Sequence, residues 1–358
     1  MPSLAILADD LTGACDTGSL FTGAGAVPVT VWPSVAPDGA ARAVHVVDTE
    51  SRRLSPRDAG IRVTQAVRAC PTPRYFKKLD STLRGRIGAE VEALMAAAGI
   101  TRALVCPAFP AQGRTIVRGE LLIDGLPIAG TGIQATSSVV QLLRPQLTRP
   151  IAWIPLPEVR AGRELLIERL TRLDGMVVVA DAETDDDLDA LVDAALALEA
   201  PPVLAGAAGL GRALAARLGV LRDHAALPRA RRWLVVAGSL HPATRRQVQA
   251  ARDAGLTVLA SAAGESLDDG AAARDLADEA RQRLRAEPFD VVFVTGGDTA
   301  LALYEALGRG RLELVGPPAP GLALARLAVP ERDGLWLVTK AGAFGDPDLI
   351  VSLAKEAA

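Results

Sequence analysis

The sequence predicts an α/β protein of two domains, each built on a mainly parallel, doubly wound sheet. Short β-branched runs alternate with helical periods along almost the whole chain, which is typical of parallel strands joined by crossover helices. At 358 residues, the chain is also too long for one ordinary hydrophobic core. An irregular stretch with four arginines, from Leu221 to Arg232, separates two such series. We therefore predict one domain at 1–225 and a second at 232–358.

The first series holds seven candidate strands, and two of the helices between them have readable starts. Ser55 and Pro56 with Asp58 combine an N-cap, a first-turn proline and an acid near the positive helix end. Thr184 with Asp187 opens another helix in the same way. The candidate strands are Leu4–Ala8, Val27–Val31, Ala43–Val47, Arg74–Leu79, Arg102–Cys106, Met176–Ala180 and Pro202–Ala205.

The second series repeats the alternation with five candidate strands. A stretch rich in proline and glycine, from Val315 to Gly321, is predicted to be a loop. The candidate strands are Trp233–Ala237, Leu256–Ala260, Val291–Val294, Leu312–Val315 and Leu335–Thr339.

Composition excludes several classes of protein. A net charge of −3 provides no electrostatic footprint for nucleic acid or an anionic membrane. The most apolar long stretch, Ala190 to Leu210, is broken by two acids and two prolines and should not span a membrane. The chain has three cysteines, an odd number without metal-ligand spacing, which predicts buried thiols in a reducing cytoplasm. We therefore expect a cytoplasmic protein without nucleic-acid or membrane partners.

The densest cluster of polar groups is the loop at 77–85, where an apolar strand gives way to a helical pattern. Lys78 and Arg84 could bind a carboxylate, Ser81 a hydroxyl, and Asp80 could take a proton. Lys77 and Lys78 alternate along a strand and face opposite ways, so only one of them can point into a site. The plainer alternative is a solvated turn that caps the next helix.

Two further loops carry candidate residues for the same chemistry. Asp9 and Asp10 directly follow the first strand, where paired carboxylates can bind hydroxyls, hold a metal or act as a base. A turn with a helix N-cap is the alternative explanation. Arg114 closes a Pro/Gly-bracketed loop at 107–114 that is compatible with a substrate lid, although an ordinary surface turn fits equally well.

Three glycine-containing loops each follow a strand of the second series, at 238–239, 295–299 and 340–345. Glycine permits close backbone approach, and N–H groups at a helix start attract phosphate. Together these loops predict a nucleotide site, although none is a Walker A motif. A competing GxxGxG run at 206–211 resembles a dinucleotide fingerprint with the wrong order, and leaves an NAD(P)-dependent dehydrogenase as a weaker alternative.

Taken together, these motifs resemble the four-carbon acid sugar kinase family. The resemblance implies a substrate domain followed by a nucleotide domain, with the active site in the cleft between them. It also implies ATP and Mg²⁺ as cofactors, and phosphorylation of erythronate, threonate or a 3-oxo-tetronate at the 4-hydroxyl. It rests on ADDLTGACDTG at 8–18, KLDSTLRGRIGAE at 78–90, PAFPAQGR at 107–114, GLPI at 125–128, GSLHPATRRQ at 238–247, TGGDTA at 295–300 and KAGAFG at 340–345.

The family's sites transfer to matching positions of this chain. The resemblance implies an acid-sugar site of Asp9, Asp10, Lys78, Asp80, Ser81 and Arg84, and an ATP site of Ser239, Gly296, Gly297, Asp298, Thr299 and Gly342.

We expect Lys78 and Arg84 to bind the substrate carboxylate, and either Asp80 or Asp9 to deprotonate the terminal hydroxyl. Asp10 and Ser81 would hold the other hydroxyls. A non-catalytic sensor of the same ligands is an alternative. The oligomeric state stays open, with a homodimer as one option.

Overall fold

The computed structural model describes residues 3–35, 43–261, 270–329, 332–342 and 344–358. Its contacts divide the chain into two compact units. The first comprises Met1–Asp10 with Thr30–Leu221, and the second comprises Leu11–Val29 with Arg222–Ala358. The chain therefore passes between units inside the stretch that the sequence predicts as a boundary. By contrast, Leu11–Val29, predicted within the first domain, groups with the second.

The described residues form strands β1 to β17. They are β1 (Leu4–Ala8), β2 (Val27–Val31), β3 (Val44–Asp48), β4 (Tyr75–Lys78), β5 (Ala103–Cys106), β6 (Arg114–Val117), β7 (Glu120–Ile123), β8 (Leu126–Pro127), β9 (Ile151–Ile154), β10 (Val177–Ala180), β11 (Val203–Gly206), β12 (Trp233–Ala237), β13 (Thr257–Ala260), β14 (Val291–Thr295), β15 (Leu312–Gly316), β16 (Leu322–Val329) and β17 (Arg332–Lys340).

Helices α1 to α12 connect these strands. They are α1 (Leu11–Ser19), α2 (Pro56–Ala69), α3 (Ile87–Ala98), α4 (Val139–Leu143), α5 (Leu156–Val159), α6 (Arg163–Arg172), α7 (Asp185–Leu196), α8 (Ala208–Arg217), α9 (Pro242–Asp253), α10 (Ala271–Ala286), α11 (Gly297–Ala306) and α12 (Leu349–Glu356). The two helix starts predicted from sequence are confirmed. Ser55 accepts from the N–H of Asp58 at the start of α2, and Thr184 and Asp187 form a reciprocal capping box at α7.

The main sheet of the first unit is parallel, as the alternation of strands and helices in the sequence predicts. Its strands run in the order β3-β1-β4-β11-β5-β10-β9, and each neighbouring pair is parallel. The fully buried strands read as continuous apolar runs, since helices cover both faces of such sheets. This order puts the loops after β3, β1 and β4 side by side.

A three-stranded antiparallel sheet, β6-β7-β8, was missed by the sequence analysis. Its two connections are Arg118-Gly119 and Asp124-Gly125, all four at positive φ between 49° and 79°. Consecutive residues at positive φ are the mark of type I′ hairpin turns, which match the twist of paired strands. The Asp-Gly pair was therefore an available hairpin signal within the segment after the predicted lid.

The second unit combines parallel and antiparallel pairing. Strands β13, β12, β14 and β17 are parallel neighbours, and β16 and β15 follow in antiparallel fashion. Strand β16 was not predicted, because its run is rich in leucine and alanine and has a single β-branched residue, Val329, at its end. Helix α1 packs against β15, β16, β17 and α11, which explains why its segment groups with this unit.

Two sequence predictions concern general properties of the chain. Cys15, Cys70 and Cys106 are buried, and none of the three forms a disulfide. In the part of the chain that the structure describes, no helix has both the length and the apolar character needed to cross a bilayer.

Candidate active site

Three carboxylates meet at one edge of the first unit's sheet. Asp9 and Asp10 come directly after β1, and Asp80 lies two residues beyond β4. The two strands are parallel neighbours, with Leu7 opposite Lys77. Open α/β sheets bind ligands at the carboxyl ends of their strands. The two loops singled out from the sequence thus belong to one cluster.

Arg52 stands at the centre of this cluster, although the sequence analysis did not single it out. Its Nε and Nη2 each donate to the Asp9 carboxylate at 2.8 Å. Its Nη1 and Nη2 donate to Asp10 at 2.6 and 2.9 Å. Nη2 also lies 3.7 Å from Asp80 Oδ2. One planar guanidinium therefore binds two carboxylates in bidentate fashion and offsets the charge of a third.

The loop after β3 places Arg52. β3 is the other parallel neighbour of β1, so its following loop reaches the same edge. The N–H groups of Ser51 and Arg52 donate to the backbone carbonyl of Asp9 at 3.1 and 3.2 Å. An arginine shortly after a neighbouring strand was the only sequence signal for this role, and it becomes informative only once the strand order is known.

Asp80 is bound by donors from its own loop. Oδ1 accepts from the Thr82 N–H at 3.0 Å and from the Thr82 hydroxyl, and Oδ2 accepts from Arg84 Nη2 at 2.6 Å. Burial raises the pKa of Asp80, but Arg52 and Arg84 outweigh it and hold the pKa well below its usual range. Asp80 is thus a firmly ionised carboxylate that fixes Arg84.

Asp9 and Asp10 differ in their access to solvent. The Asp9 side chain is 2 % exposed and the Asp10 side chain 13 %. Burial raises the pKa of Asp9, but the charge and hydrogen bonds of Arg52 outweigh it and lower that pKa below its ordinary value. A glycine is needed beside Asp9, because a Cβ on Gly85, at φ +101°, would lie 2.9 Å from Asp9 Oδ2.

The two adjacent lysines have different surroundings. Lys77 is fully buried and its Nζ lies 3.0 Å from Glu90 Oε2 on α3. Glu90 also accepts from the hydroxyl of Ser51, which joins this buried pair to the loop that carries Arg52. Lys78 Nζ donates to the carbonyl of Leu79 at 2.7 Å. Lys77 is therefore an internal support of the cluster.

The remaining predicted residues of the first unit lie around Asp80. The Arg84 side chain is 58 % exposed, so it can reach a ligand while it holds Asp80. Ser81 is half-buried in the same loop. Arg114, at the start of β6, donates to the carbonyl of Gln112. Burial lowers the pKa of Arg114, and the charge of Asp80 acts against that shift. Arg114 is thus within electrostatic reach of Asp80.

Asp48 is a further carboxylate at this edge that the sequence analysis missed. It ends β3 opposite Ala8 of β1, and it is fully buried. Burial, with the nearby charges of Glu50 and Asp10, raises the pKa of Asp48 well above its usual value. Asp48 directly follows a run of valines at the end of β3. Nothing in that local pattern shows that its side chain is buried.

In the second unit, three predicted glycine loops meet at the end of the parallel strands. Ala237, Thr295 and Lys340 lie level with one another on β12, β14 and β17. The loops that follow them therefore start side by side. Gly238 donates its N–H to the Thr295 carbonyl at 3.1 Å, and Gly296 donates to the Lys340 carbonyl at 3.3 Å.

These loops pack too closely for side chains at their glycines. A Cβ on Gly238 would collide with the side chain of Thr299, and one on Gly342 with the hydroxyl of Ser239. A Cβ on Gly296, at φ +104°, would lie 3.2 Å from the Ser239 nitrogen. The predicted residues Ser239, Gly296, Thr299 and Gly342 therefore form one compact surface made largely of backbone.

The start of α11 opens onto this surface. Gly296 is its N-cap residue and makes no side-chain capping bond, Gly297 is the first residue, and Asp298 lies in the first turn. The first N–H groups of a helix lack intrahelical partners and favour anions such as phosphate. The arrangement suits the binding of a nucleotide's phosphates.

The GxxGxG run of the first unit has a packing role. A Cβ on Gly206 would lie 2.5 Å from the Cys106 carbonyl oxygen, and one on Gly209 would lie 2.9 Å from the Ala108 carbonyl oxygen. These glycines let α8 and β11 approach the neighbouring strand and loop. Packing therefore accounts for the glycines at these two positions without a dinucleotide.

Within residues 3–35, 43–261, 270–329, 332–342 and 344–358, no group of three or more His, Cys, Asp or Glu side chains is arranged to hold a metal ion.

Two family models match the chain. Residues 4–214 match a model described as a sugar-binding N-terminal domain, and residues 265–350 match one described as a nucleotide-binding C-terminal domain. The first covers the carboxylate cluster and the second covers the loops at 295–299 and 340–345.

Three curated relatives are kinases of four-carbon acids. A D-threonate kinase of Salmonella typhimurium is 32% identical over 96% of this chain and 95% of its own length. A D-erythronate kinase of Heliobacterium modesticaldum is 32% identical over 71% of this chain and 61% of its own. A 3-oxo-tetronate kinase of Pseudomonas fluorescens is 34% identical over 76% and 70%.

Solved structures share the fold. A Salmonella typhimurium protein described as a putative tRNA synthase superposes with a TM-score of 0.80 at 20% identity, over 99% of this chain and 98% of that one. A Bordetella bronchiseptica protein, solved with bound citrate as a domain-swapped dimer, has a TM-score of 0.52 at 30% identity over the same shares.

Proposed function

The chain belongs to the four-carbon acid sugar kinase family, and on that premise we propose that it transfers the γ-phosphoryl group of ATP to the 4-hydroxyl of a four-carbon acid sugar. Family membership rests on the sugar-binding domain model, which spans more than half of the chain, and on acid-sugar kinases that align over most of it. The chain is therefore a phosphotransferase.

The observation that carries the proposal is that each substrate has a matching group of residues in its own unit. The unit matched by the sugar-binding model holds carboxylates and arginines suited to a small anionic polyol. The unit matched by the nucleotide-binding model holds glycine loops and a helix start suited to phosphates.

For the acid sugar, cations bind the carboxylate and anions bind the hydroxyls. Arg84 is the most exposed cation of the cluster. Arg114 is within electrostatic reach of Asp80, and we assign Lys78, two residues before Asp80 in the chain, to the same carboxylate. Asp10, more accessible than Asp9, accepts from substrate hydroxyls together with Ser81.

The terminal hydroxyl needs orientation more than early deprotonation. Phosphoryl transfer passes through a loose transition state in which positioning and charge neutralisation do most of the work. Of the two candidates for the base, Asp9 fits better, because a single shared guanidinium holds it. Asp80 is held by donors from Thr82 and Arg84 as well as by the charge of Arg52.

For ATP, the phosphates lie on the backbone of the glycine loops. The residues that would hold them are Ser239, Gly296, Gly297, Asp298, Thr299 and Gly342. Mg²⁺ bound to the phosphates would neutralise charge that develops there. Because the described side chains offer no dedicated cluster of metal ligands, we propose that the ion arrives with the nucleotide, as is usual for Mg²⁺.

We propose D-threonate as the first acceptor to test, because the D-threonate kinase relative aligns over nearly the full length of both chains. We also infer a homodimer, since a Bordetella neighbour is dimeric, and a cytoplasmic location, since the three cysteines are thiols outside any disulfide.

An ADP-release panel tests the proposed function. The purified chain is incubated with ATP, Mg²⁺ and each of D-threonate, L-threonate, D-erythronate and their 3-oxo forms. We expect ADP release that depends on one acid, and loss of that release in Arg52→Met but not in the exposed neighbour variant Arg53→Met. A non-catalytic sensor would bind ligands and release no ADP with any acid, which would refute the proposal.

A further inference from the structure

A buried lysine at the end of β17 donates hydrogen bonds to the loop that follows this strand. Lys340 is 1 % exposed, and its Nζ donates to three backbone carbonyls of this loop. The acceptors are the carbonyls of Ala341 at 3.0 Å, Gly342 at 3.2 Å and Phe344 at 3.1 Å. An ammonium at the centre of several carbonyls is held much as a small cation would be.

Two side chains of α9 complete this arrangement. The Thr244 hydroxyl donates to the Gly342 carbonyl at 2.8 Å and lies 3.5 Å from Lys340 Nζ. Gln247 is fully buried, and its Nε2 donates to the carbonyls of Phe344, Gly345 and Asp346 at 3.0, 2.9 and 2.9 Å. Each described loop residue from 341 to 346 thus has a carbonyl that accepts a hydrogen bond from a side chain of Lys340, Thr244 or Gln247.

The direction of these carbonyls decides what the loop offers to a ligand. In a planar trans peptide the N–H points opposite to the carbonyl. Carbonyls that turn toward Lys340 and Gln247 therefore leave the N–H groups of Gly342 and Gly345 directed away from them. Gly342 also lies against Ser239 of the neighbouring loop, so its backbone belongs to the surface described above.

We propose that Lys340 is a positioning residue of the nucleotide site, whose ammonium gathers the loop carbonyls so that the loop presents N–H groups to the phosphates of ATP. This inference rests on the proposed function for the identity of the ligand. Lys340 does not touch the phosphates in this role. It acts through the backbone of residues 341, 342 and 344–346.

The composition of the chain supports a special role for this lysine. Of the 39 basic residues, four are lysines, Lys77, Lys78, Lys340 and Lys355, and the other 35 (39 − 4) are arginines. Three of those four lysines are buried. A compact ammonium fits inside a ring of carbonyls, whereas a planar guanidinium with five donors does not. Burial lowers the pKa of Lys340 to about 7, in keeping with an ammonium held mainly by neutral carbonyls.

The first test compares Lys340→Met with Lys355→Met, the same change at an exposed lysine of α12. The dissociation constant for ATP is measured by calorimetry without acceptor, and the KM values for ATP and for the acid sugar by kinetics. We expect ATP binding about tenfold weaker or more in Lys340→Met, with an unchanged KM for the acid sugar. Unchanged ATP binding, or an equal loss for both substrates, would overturn the proposal.

Chemical rescue separates positioning from general destabilisation. Lys340→Ala leaves a carbonyl-lined space, so ammonium or methylammonium chloride should restore part of the ATP affinity relative to sodium chloride at equal ionic strength. If Lys340→Ala does not fold, Gln247→Leu serves instead, because it removes the hydrogen bonds to three carbonyls of the same loop, those of Phe344, Gly345 and Asp346, and should weaken ATP binding selectively. Absence of rescue in a folded Lys340→Ala, or normal ATP binding in Gln247→Leu, would contradict the proposal.

The two proposals can fail separately. If the wild type binds ATP and Lys340→Met does not, the positioning role stands even when no acid in the panel is phosphorylated. If an acid is phosphorylated and ATP binding is unaffected by Lys340→Met, the proposed function stands alone.

Discussion

One guanidinium sets the electrostatics of the carboxylate cluster. Arg52 binds Asp9 and Asp10 directly and lies close to Asp80, so one positive charge offsets the repulsion among three neighbouring carboxylates. Without a cation between them, neighbouring carboxylates raise one another's pKa values, and part of the cluster would take up protons.

Replacing Arg52 should therefore disable the cluster. We expect Arg52→Met to lower kcat/KM at least about a hundredfold, and Arg52→Lys to restore little, because an ammonium cannot bind two carboxylates in bidentate fashion. Steady-state kinetics with the best acid of the panel measure this. Near-normal activity in Arg52→Lys would show that the charge matters and the geometry does not.

Asp9 and Asp80 should have separable effects on catalysis. We expect Asp9→Asn to lower kcat about a hundredfold or more with little change in the acid-sugar KM, since it orients the reacting hydroxyl. Asp80→Asn should mainly raise that KM, because it releases Arg84. Kinetics of both variants at saturating ATP decide between them, and the reverse pattern would assign the hydroxyl to Asp80.

The lowered pKa of Asp80 makes a prediction about stability against pH. Its unfolded-state pKa is about 3.9, and its folded-state pKa is lower. The resulting stabilisation is present above about pH 4 and is lost as the pH falls toward the folded-state value. Urea unfolding from pH 3 to pH 7 measures the free energy of unfolding of wild type and Asp80→Asn. The difference between the two free energies should become smaller below about pH 4. A constant gap would mean that the ion pair contributes nothing.

At the scale of elements, the cluster is supported by contacts among β1, β4, α3 and the loop after β3. Lys77 of β4 and Glu90 of α3 form a buried ion pair, and Ser51 links Glu90 to the Arg52 loop. The Thr49 hydroxyl donates to the Ala8 carbonyl at 2.8 Å. These bonds join the loop to the end of β1, where Asp9 begins.

Breaking this buried pair on one side should be costly. We expect Lys77→Met to destabilise the protein by about 3–5 kcal/mol, because it leaves the buried Glu90 charge without its cationic partner. The double variant with Glu90→Gln should recover part of that loss. Urea unfolding measures both against Lys355→Met, an exposed control expected within about 0.5 kcal/mol of wild type. Simple additivity of the two changes would argue against coupling.

At the scale of the whole molecule, the proposed function places the two substrates on different units of the chain. The carboxylate cluster lies in the unit that contains Thr30–Leu221, and the glycine loops lie in the unit that contains Arg222–Ala358. Each family model covers the corresponding part of the sequence. Substitutions should therefore act on one substrate at a time.

This division predicts a split in KM values. We expect Arg84→Met to raise the KM for the acid sugar about tenfold or more with an unchanged KM for ATP. Gly342→Ala should do the opposite, because its Cβ would collide with the hydroxyl of Ser239. Initial rates over a grid of both substrates measure the split. A parallel rise of both KM values in either variant would contradict the assignment.

Local pattern was sufficient for much of this protein. Every strand of the two predicted series is present within about two residues or, for β17, three, because β-branched runs and helix caps act over short stretches of chain. The loops after β1, β4, β12, β14 and β17 were recognisable for the same reason, since each combines a strand end with turn residues or charges.

Tertiary structure alone decided which of these parts meet. Arg52 lies more than forty residues from Asp9, and their contact depends on β3 lying beside β1, which no local periodicity reveals. The pairing of Lys77 with Glu90, the burial of Asp48 and the contacts of Thr244 and Gln247 with the loop after β17 depend in the same way on neighbours distant in sequence. The sequence by itself determined the elements and the chemistry available at their ends, and the packing of the sheets decided which groups are charged, paired and accessible there.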